Sequence, residues 1–492
     1  MAEIGTGESF ALDSDKWMPA RLIPVAGIRG QDEQEIRAAS SLLAVMGAVD
    51  EFGKSLLREV GAPAGRITTF TEVPLKDADG KTLRPDGAIT VERGKTSWRC
   101  LVEVKTGNAP LKADQVSNYL DLAREHEFDG VLTISNQISG GPQDVPVTVD
   151  RRKLRRVDLR HLSWWRILTE AVMQHQHRGV KDPDQAWILG ELIAYLEHEK
   201  SGAIGFEDMG QNWVKVRNSA RDGTIRVADP GVRDVVDRWE QFIEYLCLGL
   251  SQDLGVQVTS AQSKAKDGEQ WTESLLTTLE GEGKLTSSFR VPGAVGPIDV
   301  EADLRARQTR ANVKVNAPKE GRPLTRINWI LRQLNKAPKD LRVEVQFART
   351  KETTALLLAD ALEEPKALLS PSDPKREPRA FSLSLARPLG TKRGRGERSF
   401  VLETRRQVVG FYGGLVEDLT GWQPKAPKLS SKEPSEDTED PRRTVSRAIS
   451  VETAPIDAPA EDLPQPPSES DSRHTEVSQW AASSPPPWTD PT

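Results

Sequence analysis

Residues 84–108, RPDGAITVERGKTSWRCLVEVKTGN, constrain the fold of this chain more than any other stretch. The pattern is typical of two β-strands joined by a turn. The first predicted strand starts at Pro85-Asp86 and continues to Val91, and the second covers residues 98–105. The polar, glycine-containing residues 92–95 predict the turn between them.

The second of these strands places charged side chains beside an apolar core. Successive side chains of a strand point to opposite faces, so Leu101, Glu103 and Lys105 share one face. The other face carries Cys100, Val102 and Val104. Asp86, at the start of the paired strand, can lie next to Glu103 and Lys105. Two carboxylates and a lysine suit the binding of Mg²⁺ and the activation of a water molecule.

The elements around this pair are predicted from apolar periodicity and turn residues. Their order is helix, three strands, helix, strand. The connection from the Glu103 strand through a helix to the next strand predicts a parallel βαβ unit. The predicted helices cover residues 31–60, 111–126 and 163–175, and the other strands cover 66–75, 131–135, 145–149 and 154–159.

Pro85-Asp86 followed by Glu103-Val104-Lys105 resembles the PD-(D/E)xK signature of the restriction-endonuclease-like nuclease superfamily. The resemblance implies an α/β fold with an α-β-β-β-α-β core, a mixed sheet flanked by helices. It implies that Asp86 and Glu103 hold one or two Mg²⁺ ions, which Mn²⁺ can replace, and that the Val104 carbonyl adds a ligand. It also implies that Lys105 orients or deprotonates the attacking water and stabilises charge at the phosphate.

Two further elements of the superfamily have candidates in this chain. Its leading helix often supplies another metal-binding glutamate, for which Glu35 is the candidate and Glu33 the reserve. The alternative is an ordinary solvated charge near a helix N-terminus. Gln115 and Tyr119 resemble the QxxxY element of the RecB-like branch, and residues four apart share a helix face. The alternative there is an ordinary polar face with one core tyrosine.

The specificity of the motif depends on its context. An ExK triplet alone is weak evidence, because residues 282–284 and 364–366 also form one. Neither of these follows Pro-Asp on a neighbouring apolar strand. The structural alternative for the full motif is a ladder of ion pairs on a solvated sheet face, and a second alternative is a folded but inactive relative.

At 492 residues the chain is long enough for two or three domains. The last segment is rich in Pro, Ser and acidic residues, which predicts disorder. The predicted divisions are an irregular N-terminal arm (1–30), a nuclease-like domain (31–200, with a flanking helix at 185–199), a linker (201–230), an α+β domain of unknown role (231–423) and a disordered tail (424–492). In the α+β domain we predict helices at 233–250, 324–334 and 400–419, and strands at 284–291, 297–306, 309–316, 341–347 and 381–385.

Composition limits the partners of the chain. The net charge is −6, so any surface for nucleic acid must be local. Residues 151–156 (RRKLRR) and 392–396 (KRGRG) are basic clusters that suit phosphate contact, and solvated surface is the alternative for both. Trp480 and Trp488 in the tail could dock a protein partner, although an unused tail is the alternative.

Cellular location follows from the cysteines and from hydropathy. Only two cysteines are present, which fits a reducing compartment and excludes a disulfide framework. The sequence shows neither a secretory signal nor an apolar stretch near the roughly 18 residues that span a bilayer. We therefore expect a soluble, cytoplasmic protein that is not bound to membranes.

The expected function is a Mg²⁺-dependent nuclease that acts on DNA, an endo- or exonuclease, with defence against foreign DNA or DNA repair as its natural settings. Nucleases of this fold often form homodimers, and the sequence is compatible with one. The alternative is a non-catalytic nuclease-like scaffold or a nucleic-acid-binding interaction protein. A small-molecule enzyme in the second domain is a third class, but no motif supports it.

Overall fold

The computed structural model describes residues 21–25, 27–203, 205–261, 268–394 and 396–424. These residues belong to one compact unit of mixed α/β structure. The first part of the chain contains α1 (Gln31–Ala48), α2 (Asp50–Glu59), β1 (Arg66–Thr71), β2 (Leu75–Lys76), β3 (Thr82–Leu83), β4 (Gly87–Arg93), β5 (Thr96–Val104), α3 (Ala113–Glu125), β6 (Gly130–Ser135), β7 (Asp158–Ser163), α4 (Trp164–Val172) and α5 (Pro183–Glu197).

The first sheet has five strands in the order β1-β4-β5-β6-β7. Strands β1, β4 and β5 pair antiparallel, whereas β5, β6 and β7 pair in parallel. The parallel pairing of β5 with β6, on either side of α3, confirms the predicted βαβ unit. The mixed α/β class is also confirmed.

Three local predictions were wrong. Residues 145–149 do not form a strand, since Pro146 interrupts the apolar run and the Val145 N–H donates to the Gln143 carbonyl instead. The last strand of the sheet is β7, later than the predicted 154–159, because Lys153–Arg155 forms a 3₁₀ turn. The long first helix is divided into α1 and α2 by Val49, whose backbone is extended.

The strand faces of β5 separate two apolar clusters, as the alternation predicts. Val102 and Val104 pack in the cluster that includes α1, α2, α4 and α5. Leu101 packs on the opposite face, in the cluster that includes α3. Glu103 therefore lies on the α3 face of the sheet.

Helix ends show why the flanking helices start where they do. The Asp182 side chain accepts hydrogen bonds from the N–H groups of Asp184 and Gln185, and Pro183 occupies the first turn of α5. The Ser163 hydroxyl accepts from the Arg166 N–H, so α4 begins directly at the end of β7. These caps hold the two helices against the sheet without a long connection.

The second part is built on a seven-stranded antiparallel sheet with the order β13-β12-β14-β11-β10-β9-β8. Its elements are α6 (Trp213–Arg221), α7 (Val232–Leu254), β8 (Thr259–Ser260), α8 (Gly268–Glu282), β9 (Lys284–Arg290), β10 (Ile298–Asp303), β11 (Gln308–Asn316), α9 (Pro323–Gln333), β12 (Arg342–Phe347), β13 (Thr353–Leu357), α10 (Leu358–Glu363), β14 (Pro378–Pro388) and α11 (Phe400–Phe411). Helices α8 and α10 and strand β13 were not predicted.

The segment predicted as a linker, 201–230, is folded. It contains α6, whose residues Trp213, Val216 and Ala220 are buried in the core of the second part. The predicted linker was inferred from glycine and polar content, whereas the apolar positions of this short helix decide its structure.

The two parts are joined through α4 and α7. The rings of Trp165 and Tyr245 lie 4.7 Å apart between centroids, and the Trp165 indole donates to the Tyr245 carbonyl at 3.3 Å. Arg166 forms an ion pair with the buried Glu244 at 2.7 Å. The first part of the chain is thus packed against the second part through α4.

Some predictions fall outside the described residues. They include the tail beyond Pro424 with Trp480 and Trp488, and most of the N-terminal arm. Within the described residues, no helix is long and apolar enough to cross a membrane.

Candidate active site

Strands β4 and β5 bring Asp86 and Glu103 together. The last paired residues are Gly87 and Val102, so Asp86 and Glu103 follow one step beyond on the α3 face. A Cβ atom at Gly87 would lie 2.4 Å from Leu43 Cδ1 of α1, which explains the glycine after Asp86. Asp86 Oδ2 accepts a hydrogen bond from the Val104 N–H at 2.7 Å, which fixes one carboxylate oxygen.

Glu103 is the most buried acid of the site, with 1% of its surface exposed. Its Oε1 forms an ion pair with Lys105 Nζ at 2.7 Å, and its Oε2 has no hydrogen-bond donor. Burial, followed by the charge of Asp86, raises the pKa of Glu103 to about 7. Burial also raises the pKa of Asp86, against the opposing effect of the Val104 N–H. Burial and the closeness of the two carboxylates therefore both disfavour ionisation of the whole pair.

Lys105 is the cation of the site. Its ammonium contacts three oxygens: Glu103 Oε1, the Val104 carbonyl at 2.9 Å and Glu35 Oε2 at 3.1 Å. Burial by itself lowers the pKa of Lys105, but the neighbouring Glu103 carboxylate outweighs it and raises that pKa. Lys105 is therefore protonated at neutral pH.

Of the two candidate glutamates on α1, Glu35 is the one that lies in the site. Its Oε2 pairs with Lys105, and its Oε1 accepts from the Gln31 side chain at 3.3 Å and from the Thr106 N–H at 3.4 Å. Glu33 instead accepts from the Arg29 N–H at 2.7 Å and is exposed. The role of Glu35 as a metal ligand stays a prediction.

Gln115 and Tyr119 lie next to each other on α3. The Gln115 amide donates to the Tyr119 hydroxyl at 3.4 Å, and this hydroxyl donates to the Arg84 carbonyl at 3.3 Å. Burial and the charge of Glu103 raise the pKa of Tyr119 to about 12. The charge of Glu103 thus acts on Tyr119, and the Tyr119 hydroxyl holds the backbone just before Asp86.

Two residues that the sequence did not single out support the strand end. The Trp164 indole donates to the Lys105 carbonyl at 2.9 Å. The Asn136 amide donates to the carbonyls of Gly107 at 2.8 Å and Gly202 at 2.7 Å. A buried indole N–H needs an acceptor, which is the only signal in the sequence for Trp164. No signal marks Asn136, since its partners are backbone atoms brought together by the fold.

The oxygens of Asp86, Glu103 and Val104 suit a hard cation such as Mg²⁺ or Mn²⁺. The buried Glu103 Oε2, which has no hydrogen-bond donor, is the observation that favours such a cation. Among the described residues, no group of three or more His, Cys, Asp or Glu side chains has the arrangement of a metal cluster. The predicted donor set is two carboxylates and a backbone carbonyl, and the Lys105 ammonium is the cation that lies beside them.

The other candidates have structural partners or lie at the surface. His161 is fully buried, contacts Thr133 Oγ1 at 3.0 Å and the Gln137 carbonyl at 2.8 Å, and burial lowers its pKa to about 4. It is therefore a buried packing residue. In the 392–396 cluster, Arg393 pairs with Asp208 at 3.5 Å, and Arg395 is outside the described residues.

No protein-family model matches this sequence, and no curated protein is significantly similar to it.

Proposed function

We propose that this chain is a Mg²⁺-dependent nuclease that hydrolyses phosphodiester bonds in DNA, and that residues 31–200 form its restriction-endonuclease-like core. The observation that carries the proposal is the Glu103 carboxylate, buried beside Asp86 with the Lys105 ammonium against Oε1 and no donor at Oε2. A structural ion-pair ladder on a solvated sheet face would leave these oxygens in contact with water. The two buried free cysteines are consistent with a reducing, cytoplasmic location.

Asp86, Glu103 and the Val104 carbonyl would hold the metal ion. A bound Mg²⁺ polarises the scissile phosphate and lowers the pKa of a coordinated water. In the metal-free chain the neighbouring carboxylates raise the pKa of Lys105 and keep it protonated, which favours the role of a cation over that of a general base. Its role is therefore to orient the attacking water and to stabilise negative charge at the phosphate.

Tyr119 and Gln115 would act on the DNA side of the same site. With its pKa raised to about 12, the Tyr119 hydroxyl keeps its proton at neutral pH and is able to donate to a phosphate oxygen. The Gln115 amide, 3.4 Å from this hydroxyl, supplies a second neutral donor. Neutral donors align a phosphate without adding charge to the metal ligands.

The test is Mg²⁺-dependent cleavage of plasmid, linear and single-stranded DNA by the full chain and by Lys105→Ala. We expect the variant to lose at least about 100-fold in rate, the usual loss when a charge-stabilising group is removed. Lys95→Ala, in the exposed turn of the same hairpin, is the matched control and should cleave normally. Equal cleavage by wild type and Lys105→Ala on every substrate would refute the proposal.

One observation favours the alternative of a non-catalytic nuclease-like scaffold: the Lys105 ammonium already contacts three oxygens predicted as metal ligands. The effect of Mg²⁺ or Mn²⁺ on stability distinguishes a nuclease from a scaffold. A scaffold should show the same stability with and without Mg²⁺ or Mn²⁺, whereas a nuclease should be stabilised by either ion.

A further inference from the structure

The basic cluster at residues 151–156, here called the arginine turn, is attached to α3. Lys153–Arg155 forms its 3₁₀ turn. Lys153 Nζ contacts Ser117 Oγ at 2.6 Å and Asp121 Oδ2 at 2.5 Å on that helix. Lys153 is therefore a structural anchor, and it fixes the turn to the same helix that carries Gln115 and Tyr119.

The anchored turn presents its arginines to solvent. All four are exposed, and none forms an ion pair with an acid of the described residues: Arg151, Arg152, Arg155 and Arg156. Charged surface groups usually find opposite charges nearby, and the neighbouring Asp121 and Asp158 are indeed occupied by Lys153 and Arg160. Even with Asp150 directly before them, the four arginines of this fixed turn form a local positive patch in a chain of net charge −6.

Two further exposed cations belong to segments that form the site. Arg84 is exposed, and its carbonyl accepts the Tyr119 hydroxyl. Lys112 is exposed at the start of α3. Lys112 and the arginine turn are thus both attached to α3, the helix that carries Gln115 and Tyr119.

The cavity that also adjoins the site has the opposite charge. It has a volume of about 1100 Å³ and is lined by the turn after Lys105 (Gly107, Asn108), by the loop after β6 and by α7. Seven acidic side chains and two arginines line it. Burial raises the pKa of one of these acids, Asp237, against the effect of Arg233. Such a surface repels a polyanion, although its size would otherwise make it the obvious place for the substrate.

We propose that DNA reaches the site across α3, with its phosphates held by Arg84, Lys112 and the arginine turn, and that it does not enter the acidic cavity between the two parts of the chain. This inference rests on the proposed function and defines the binding surface that serves it. Each DNA phosphate is attracted to the basic surface on α3 and repelled by the acidic cavity. This difference in charge determines which surface the DNA binds.

The first measurement is DNA affinity with the full chain in EDTA, over a range of salt concentrations. Arg151→Gln/Arg152→Gln/Arg155→Gln/Arg156→Gln should raise Kd at least about 10-fold near 0.1 M salt and reduce the slope of log K against log salt by about 2–4. The control removes the same charge from exposed positions of the second part, Arg290→Gln/Lys314→Gln/Arg322→Gln/Arg379→Gln, and should leave Kd within about 2-fold of wild type. Equal losses in both variants would overturn the inference.

The second measurement does not alter any arginine. A photo-crosslinking side chain replaces Leu154, which is 37% exposed within the turn, or Gln143, which lines the cavity. DNA should crosslink at position 154 and not at 143; the reverse result would overturn the inference. Binding through the turn without any cleavage would refute the nuclease proposal alone, and cleavage that is unaffected by loss of the turn would refute this inference alone.

Discussion

The Lys105 ammonium lies 3.1 Å from Glu35 Oε2, so the charge of the candidate strand is balanced by a residue 70 positions earlier in the chain. Both side chains are largely buried, at 14% exposure each. The contact closes the site on the side of α1, opposite the helix that carries Gln115 and Tyr119. It makes Glu35 part of the same charge network as Asp86 and Glu103.

Glu35→Gln should therefore weaken both Mg²⁺ binding and cleavage. The substitution removes one anion that attracts a divalent cation, and it leaves the Lys105 ammonium paired mainly with Glu103. We expect Mg²⁺ affinity to fall at least about 3-fold and cleavage to fall about 10-fold or more, as for changes in groups that support metal ligands. Calorimetric titration with Mg²⁺ and single-turnover cleavage measure the two effects. Glu33→Gln, on the same helix but exposed, should match wild type in both, and an equal loss in the two variants would contradict the prediction.

Asp86→Asn should abolish stabilisation by Mg²⁺. A ligand at 100 times its Kd stabilises the folded state by about 2.7 kcal/mol, so wild type should melt a few degrees higher in saturating Mg²⁺ or Mn²⁺. The Asp86 carboxylate is one of the two acids of the donor set, and its amide cannot replace the charge. Asp79→Asn, in an exposed turn, is the control and should retain the full shift. If neither Mg²⁺ nor Mn²⁺ changes the melting temperature of the wild type, the non-catalytic scaffold is favoured.

The sequence was sufficient to predict the pairing of Asp86 and Glu103 because strand geometry is local. A period of two places Leu101 and Glu103 on one face, and the short hairpin leaves little freedom in register. The structure has this register, with Ala88 opposite Leu101. Helix α3 and strand β6 were likewise marked by apolar periodicity.

Contacts between distant segments were not predictable in the same way. The hydrogen bonds from Asn136 to Gly107 and Gly202 join three loops whose approach depends on the packing of whole helices. The folded state of residues 213–221 depends on the burial of Trp213 in a core formed by later strands. Such tertiary terms outweigh local composition, which is why a glycine-rich segment was wrongly predicted as a linker.

Glu103→Gln should stabilise the metal-free chain, and more so as pH rises. The pKa of Glu103 is about 7 in the folded state against 4.5 for the free side chain, so the folded chain binds the extra proton between these values. Stability of the wild type therefore falls as pH rises from about 4.5 to 7, by on the order of 1–3 kcal/mol. The neutral amide cannot lose a proton and escapes this loss.

Denaturant unfolding at pH 5 and pH 7.5 in EDTA measures this difference. The gain from Glu103→Gln should be small at pH 5 and near its maximum at pH 7.5. Addition of Mg²⁺ should reverse the order, since only the wild-type carboxylate can accept the cation. A gain that is equal at the two pH values would show that Glu103 does not titrate in this range.

Arg166→Met should destabilise the folded chain, because it leaves the buried Glu244 without its cation. Arg166 bridges Glu59 at 3.2 Å and Glu244 at 2.7 Å, and Glu244 is only 4% exposed. Removal of one partner from a buried pair leaves a desolvated charge, which costs about 3–5 kcal/mol. Arg160→Met is the matched control, because its partner Asp158 is largely exposed and such a pair contributes less than about 1 kcal/mol. Urea unfolding of both variants is the measurement. Because Arg166 lies on α4 and Glu244 on α7, comparable small losses in both variants would mean that this contact does not hold the two parts of the chain together.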